Sequence, residues 1–272
     1  MNYYLEFGGG LGDVIQQIFQ DGRYAIFDEL GPNDSAAVSL ICHNPHAHEL
    51  FSYHPHIDRI EIRSFGYWTP EEDCVMRPKH GLPRPPWYRP RKWAPKFYPA
   101  ETDLPNLCGI PFQKVVVFSI SAGLSERSVP AKIVGRLSSL ATSLGFLPVF
   151  VGREYERQGR KETRIDLPGT LDLVNMLTVP GVAELVKKSC GVVCCHSSIN
   201  ILAWHLRVPQ LLLYPPSVLE RHISKRDQWA FGIDYPECVH GLFEDEDLES
   251  KANRFFLECK KKTLHLDSSI NP

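Results

Sequence analysis

No apolar run in this chain of 272 residues is long enough to span a bilayer, and its first residues, MNYYLEFGGG, lack both a basic region and an extended apolar one. A membrane span and an export signal are therefore not expected, and the expected location is the cytoplasm. There is no basic excess either: the formal net charge is −2, so any contact with nucleic acid would have to be local. Eight cysteines are scattered without a CxxC pair or a metal-ligand spacing. Cys190, Cys194 and Cys195 lie in or beside an apolar run, where a thiol behaves as a small hydrophobe, and reduced structural thiols are expected. HExxH is missing, which leaves the dense histidines 43, 46, 48, 54 and 56 to be read as solvated surface groups in preference to a metal site. The phosphate-loop pattern is missing as well, because no Gly-Lys-Ser/Thr follows the glycine cluster at 8–12. The dinucleotide fingerprint fails at its third position, where Asp13 stands in place of glycine.

What is present is a regular alternation of apolar runs and amphipathic stretches. NYYLEF, AAVSLICH and IDRIEIRSF read as strands, with a helix after the first and a short helix, HAHELFSYH, between the other two. From Lys114 the pattern begins again. KVVVFSIS, FLPVFVG, TRIDLPG, GVVCC and QLLLY read as strands, AKIVGRLSSLATSLG and VPGVAELVKKS as helices, REYERQGRKETR as a charged loop or helix. SVLERHISKRDQWAFG and FEDEDLESKANRFFLECKKK read as closing helices. Strands alternating with helices throughout predict an α/β, doubly wound architecture formed twice over. The expected division is an N-terminal domain over 1–110, a C-terminal domain over 111–235, and closing helices with a tail over 236–272.

Two turns stand out. The first is the corner Gly8–Asp13, where glycines allow close approach to the backbone and Asp13 either caps the following helix or serves as a catalytic carboxylate. The second lies in SCGVVCCHSSINILAWHLRVPQLLLYPPS, residues 189–217, a strand, polar turn, helix and strand. Here Ser197 and Ser198 either cap the helix or help its N-terminus to seat an anion. A third feature is the segment Thr69–Pro111, which holds ten of the 22 prolines and interleaves Arg77, Arg84, Arg89 and Arg91 with Trp87, Tyr88 and Trp93. It fits a surface for an anionic or stacking partner and, equally, a proline-rich excursion packed on its domain.

The order of these motifs resembles the family 9 glycosyltransferases, the group containing the lipopolysaccharide heptosyltransferases. Gly12-Asp13-Val14-Ile15 is similar to that family's Gly-Asp-aliphatic motif, and the loop Ser121–Pro130, with Arg127, to its phosphate-contacting loop. LPGTLDL followed by GVVCCHSSINILAWHLRVPQLLLYPPS follows the order of its later motifs. Ser197, Ala203 and Pro216 keep the pattern and Ser217 nearly does. Against it, His196 stands for Asp, Ser198 for Gly, Ile201 for His and Pro215 for Gly.

The resemblance implies a GT-B fold, two Rossmann-like domains facing a cleft with the N-terminal one reduced. It also implies transfer of a sugar, with inversion and without a metal ion, from a nucleotide-sugar donor to a glycan or other acceptor hydroxyl. Asp13 would be the general base. Gly10, Gly12, Ser121, Arg127, His196, Ser197, Ser198 and Ser217 would bind the donor, with Lys132 a lesser candidate for the same anion. Trp87, Arg89 and Trp93 would bind the acceptor. No cofactor is expected beyond the nucleotide sugar as substrate. Two alternatives stay open: a GT-B protein that binds nucleotide or glycan without turnover, motivated by the departures at 196–201, and a transferase acting on modified DNA bases through the basic aromatic segment.

Overall fold

The computed structural model describes residues 2–20, 35–42, 44–62, 96–122, 127–153, 167–218 and 238–268. The chain forms two compact units, Met1–Lys96 and Phe97–Pro272, which divide within the proline-rich segment.

In the first unit, β1 (Asn2–Gly9), β2 (Ser35–Cys42) and β3 (Ile57–Ile62) make a parallel sheet in the order β1-β2-β3. Helix α1 (Leu11–Gln20) follows β1 after a single residue, and Val14, Ile15, Ile18 and Phe19 on its apolar face are all buried. The short helix expected over HAHELFSYH is one turn, α2 (Glu49–Ser52). It supplies Phe51, whose ring centroid lies 4.9 Å from that of Phe7 on β1. The histidines around it do not behave as one solvated group. His54 is buried and its imidazole is pushed down to about 4, chiefly by that burial. His46 Nδ1 meets Glu49 Oε1 at 3.1 Å and His48 Nδ1 meets the Pro45 carbonyl at 2.7 Å. His43 lies outside the described residues.

The second unit opens with α3 (Leu104–Leu107), anchored through Asp103. This buried carboxylate accepts the N–H of Ala100 at 2.8 Å, the N–H of Thr178 at 2.7 Å and the Thr178 hydroxyl at 2.6 Å. Then come β4 (Val115–Ser119), α4 (Ala131–Ser143), β5 (Leu147–Phe150), β6 (Leu171–Asp172), α5 (Val179–Lys188), β7 (Gly191–Cys195), α6 (Ser198–His205), β8 (Gln210–Tyr214), β9 (Cys238–Leu242) and α7 (Leu248–Ser268). All six strands are parallel, in the order β6-β5-β4-β7-β8-β9. Every residue of β4, β7 and β8 is buried, which explains why their sequences are nearly continuous apolar runs without alternation.

One apolar cluster joins Val116, Phe118, Val193, Cys195, Leu211, Leu213 and Val239 of the sheet to α4 and α7, the latter through Ala252, Phe255, Phe256 and Cys259. The packing leaves no room at Gly191, where a Cβ would run into Cys259 Sγ and the Phe255 ring. No disulfide joins the described cysteines. Burial raises the Cys194 and Cys238 thiols well above their ordinary range, so they act as core groups.

Three expectations about elements change. Of TRIDLPG, residues 163–166 lie outside the described residues and Leu167–Gly169 form a turn, and the short strand of this region is Leu171–Asp172. The region expected to hold only closing helices contains the edge strand β9. Helix α7 starts at Leu248, because the acids before it form a turn in which Asp245 accepts the Leu242 N–H at 2.5 Å and meets Lys251 Nζ at 2.6 Å. Pro216–Val218 is one helical turn; the rest of SVLERHISKRDQWAFG and nearly all of REYERQGRKETR lie outside the described residues.

Candidate functional site

The six-stranded order places a topological switch point between β4 and β7, where successive crossovers leave in opposite directions and the carboxyl ends of the strands leave a crevice. The segments that leave β4 and β7 at this point are those carrying Ser121, Arg127, His196, Ser197 and Ser198.

After β4 the chain makes a loop whose two ends are tied. The Val129 N–H donates to the Ile120 carbonyl at 2.8 Å, and the Ala122 N–H donates to Ser128 Oγ at 3.2 Å. Ser121 and Arg127 are half-buried in this loop. Across the switch point, Arg127 Nη1 lies 3.5 Å from His196 Nδ1, a contact between residues 69 apart in sequence. Since a guanidinium only donates, the imidazole nitrogen facing it must be the unprotonated one. Lys132, in the first turn of α4, is exposed.

At the head of α6, the Ser197 N–H is occupied: it donates to Asn200 Oδ1 at 2.9 Å. Asn200, buried at the third position of the helix, reaches back to the residue that opens it, as in a capping box. The Ser197 hydroxyl donates to the Cys195 carbonyl at 3.3 Å. The capping role expected as one alternative for this turn is thus performed by Asn200, and the Ser197 amide is not open to an anion. Ser198 is half-buried, and Ser217, beyond β8, is exposed.

In the first unit, the turn between β1 and α1 carries the same device. The Gly10 N–H donates to Asp13 Oδ2 at 2.8 Å, so Asp13 caps the helix while remaining exposed to solvent. Gly10 and Gly12 are half-buried beside it. The Asp13 charge is felt at Cys42: burial pushes that thiol up to about 11, and Asp13 adds to the rise.

Trp87, Arg89 and Trp93 lie outside the described residues. Two residues not expected from sequence join the picture. Asn200 was signalled by its place three residues after Ser197, but asparagine is not the usual Glu or Gln at that position. Arg153 follows β5, the strand beside β4, and is half-buried there. Among the described residues no group of three or more His, Cys, Asp or Glu could hold a metal ion, and no helix is long and apolar enough to cross a membrane.

No family model matches the sequence, and no curated protein matches it. Solved structures do. Escherichia coli ADP-heptose lipopolysaccharide heptosyltransferase II matches over 98% of this chain and 100% of its own, with TM-score 0.57 and 11% identity. A glycosyl transferase of family 9 from Veillonella parvula matches over 97% of both chains, with TM-score 0.55 and 11% identity. The E. coli heptosyltransferase WaaC, solved with ADP, matches over 95% of this chain and 100% of its own, with TM-score 0.54 and 11% identity. The chain therefore has the α/β, GT-B-type fold that the resemblance implies, at an identity where likeness speaks for the fold alone.

Proposed function

We propose that the chain is a glycosyltransferase that moves a sugar from a nucleotide-sugar donor to an acceptor hydroxyl, with inversion and without a metal ion. The observation that carries this reading is the meeting of Arg127 and His196 at the switch point of the six-stranded sheet. Open α/β sheets bind phosphate-bearing ligands at such a point. A guanidinium held there is suited to a diphosphate, which it can grip through paired hydrogen bonds. The shared fold with heptosyltransferases, one of them solved with ADP, supports a nucleotide sugar as the ligand.

In the proposed step, the acceptor oxygen attacks the anomeric carbon as the bond from that carbon to the diphosphate oxygen breaks. Asp13 takes the proton of the attacking hydroxyl. Charge gathers on the departing diphosphate, where Arg127 and His196 offset it and so supply what a metal ion would otherwise provide. Asp13 suits the base because its carboxylate is exposed at the head of α1, where Oδ2 accepts the Gly10 N–H.

The rival reading, a GT-B protein that binds nucleotide or glycan without turnover, is favoured by the same hydrogen bond, since a helix cap needs no substrate. Incubation with a panel of nucleotide sugars and glycan acceptors separates the two. Transfer or donor hydrolysis that falls at least about a hundredfold in Asp13→Ala is expected of the enzyme. Donor that binds and is recovered intact from the wild-type protein, with every acceptor tried, would establish the binding protein instead.

A further inference from the structure

At the end of the six-stranded sheet opposite the crevice, three segments meet at the amino ends of β4 and β7: the 3-10 turn Phe112–Lys114 before β4, the last turn of α5, and residues 257–263 of α7. Two side chains of α7 tie them together. Lys262 Nζ donates to the Ser189 carbonyl at 2.7 Å, and the Thr263 hydroxyl donates to the Gln113 carbonyl at 2.9 Å. Lys188 Nζ completes the junction, 5.1 Å from the centroid of the Phe112 ring.

The junction gathers lysines that are far apart in sequence, in a chain whose formal net charge is −2. Lys114, Lys187, Lys188, Lys260 and Lys261 are all exposed, while Lys262 is turned inward, where burial pushes its amine down to about 8. Among the described residues, two of these five meet acids: Lys188 lies 3.1 Å from Glu184 and Lys261 lies 2.7 Å from Glu258. Lysines in a last helical turn suit the helix dipole, and Lys187 and Lys188 do so on α5. Lys114 lies on no α-helix, and it is the ties from α7 that bring Lys260 and Lys261 to the same end.

The surface suits phosphate headgroups better than bases. The aromatic rings of these segments are engaged, Phe255 and Phe256 in the core and Phe112 beneath Lys188, so stacking on bases is not what this end offers. On α7, Arg254, Leu257 and Lys261 point away from the buried Ala252, Phe255, Phe256 and Cys259, and Leu257 is 54% exposed between its two basic neighbours. An apolar side chain among cations is the pattern of a helix that lies on an anionic bilayer without crossing it.

We infer that this end of the second unit is a docking surface for an anionic phospholipid membrane, with the lysine ammonium groups on lipid phosphates and Leu257 at the headgroup boundary. The crevice lies at the other ends of the same strands, so a docked chain holds it toward solution.

Sedimentation of the whole chain with vesicles tests this, using phosphatidylcholine alone and phosphatidylcholine mixed with phosphatidylglycerol. The wild type binds the mixed vesicles and not the neutral ones, and binding weakens from about 50 mM to about 300 mM salt. Each of Lys114→Gln, Lys187→Gln and Lys260→Gln lowers the partition coefficient about fivefold, and the three together about a hundredfold. Lys132→Gln combined with Arg136→Gln, both exposed on α4, leaves it unchanged. Equal binding to both kinds of vesicle, no binding to either, a triple variant that binds as the wild type does, or an α4 variant that loses as much would each overturn the proposal. Tighter binding to a mixed-sequence DNA duplex at the same phosphate concentration, lost in the triple variant, would assign the surface to nucleic acid instead.

Discussion

The corner between β1 and α1 and the corner between β7 and α6 are built alike and charged differently. In both, a side chain at the third helical position reaches back to the N–H of the residue that opens the helix, at 2.8 Å from Gly10 and 2.9 Å from Ser197. In the first, the reaching group is Asp13, exposed and acidic. In the second, it is Asn200, buried and neutral, and the charge at that corner is the Arg127 guanidinium beside His196. One backbone device therefore serves two purposes. Where the cap is a carboxylate, the turn keeps a proton acceptor at the surface. Where the cap is an amide, the first turn of the helix carries no acid. The two halves of a group transfer, deprotonation and stabilisation of a leaving anion, call for this difference.

Substitutions that keep the cap and change the charge sharpen the comparison. Asp13→Asn retains an acceptor for the Gly10 N–H, so stability changes little, yet kcat falls by about a hundred- to ten-thousandfold as the base is lost. Steady-state kinetics alongside urea unfolding read the two effects separately. Next is Arg127→Met, expected to weaken donor affinity by about 1.5–3 kcal/mol, the usual worth of a hydrogen bond to a charged group. A binding titration checks it, and unchanged affinity would remove Arg127 from the anion seat.

Acid should weaken the units unequally. Burial pushes His205 on α6 down to about 3 and, together with Lys251, pushes His240 on β9 to about 4, while His54 in the first unit falls to about 4. Each binds a proton more readily when unfolded. Stability is thus full above the ordinary imidazole value of about 6.5 and declines below it, with His205 alone accounting for a loss of about 2 kcal/mol by pH 5. Urea midpoints at the two pH values measure this, and His205→Leu, if folded, removes that share. The smallest effect is expected of Asn200→Asp, which keeps the cap but adds an acid at the head of α6: donor KM rises about tenfold, or about 1.4 kcal/mol. A lowered KM would mean that the anion does not sit there.

Much of this was legible before any coordinates. The runs VVVF, GVVCC and QLLLY read as strands because both faces of the parallel sheet are covered, and Ile133, Val134, Leu137 and Ala141 mark α4 by their spacing. Strand β9 was missed because CVHGL is short, carries glycine and histidine and lies at an edge. FEDED looked helical because its acids precede a true helix, and only the engagement of Asp245 by the Leu242 N–H and Lys251 reveals a turn. At the candidate site the residues on each turn could be read from sequence. Their pairing could not, since Arg127 and His196 come together through strand order and not through proximity in the chain.

Donor binding and turnover measured together on Asp13→Asn and Arg127→Met test the division of labour most directly. The account predicts that Asp13→Asn binds a nucleotide sugar nearly as the wild type does while turning it over at least about a hundredfold more slowly, and that Arg127→Met loses its affinity for the same donor. An Asp13→Asn protein that transfers sugar at the wild-type rate would contradict it.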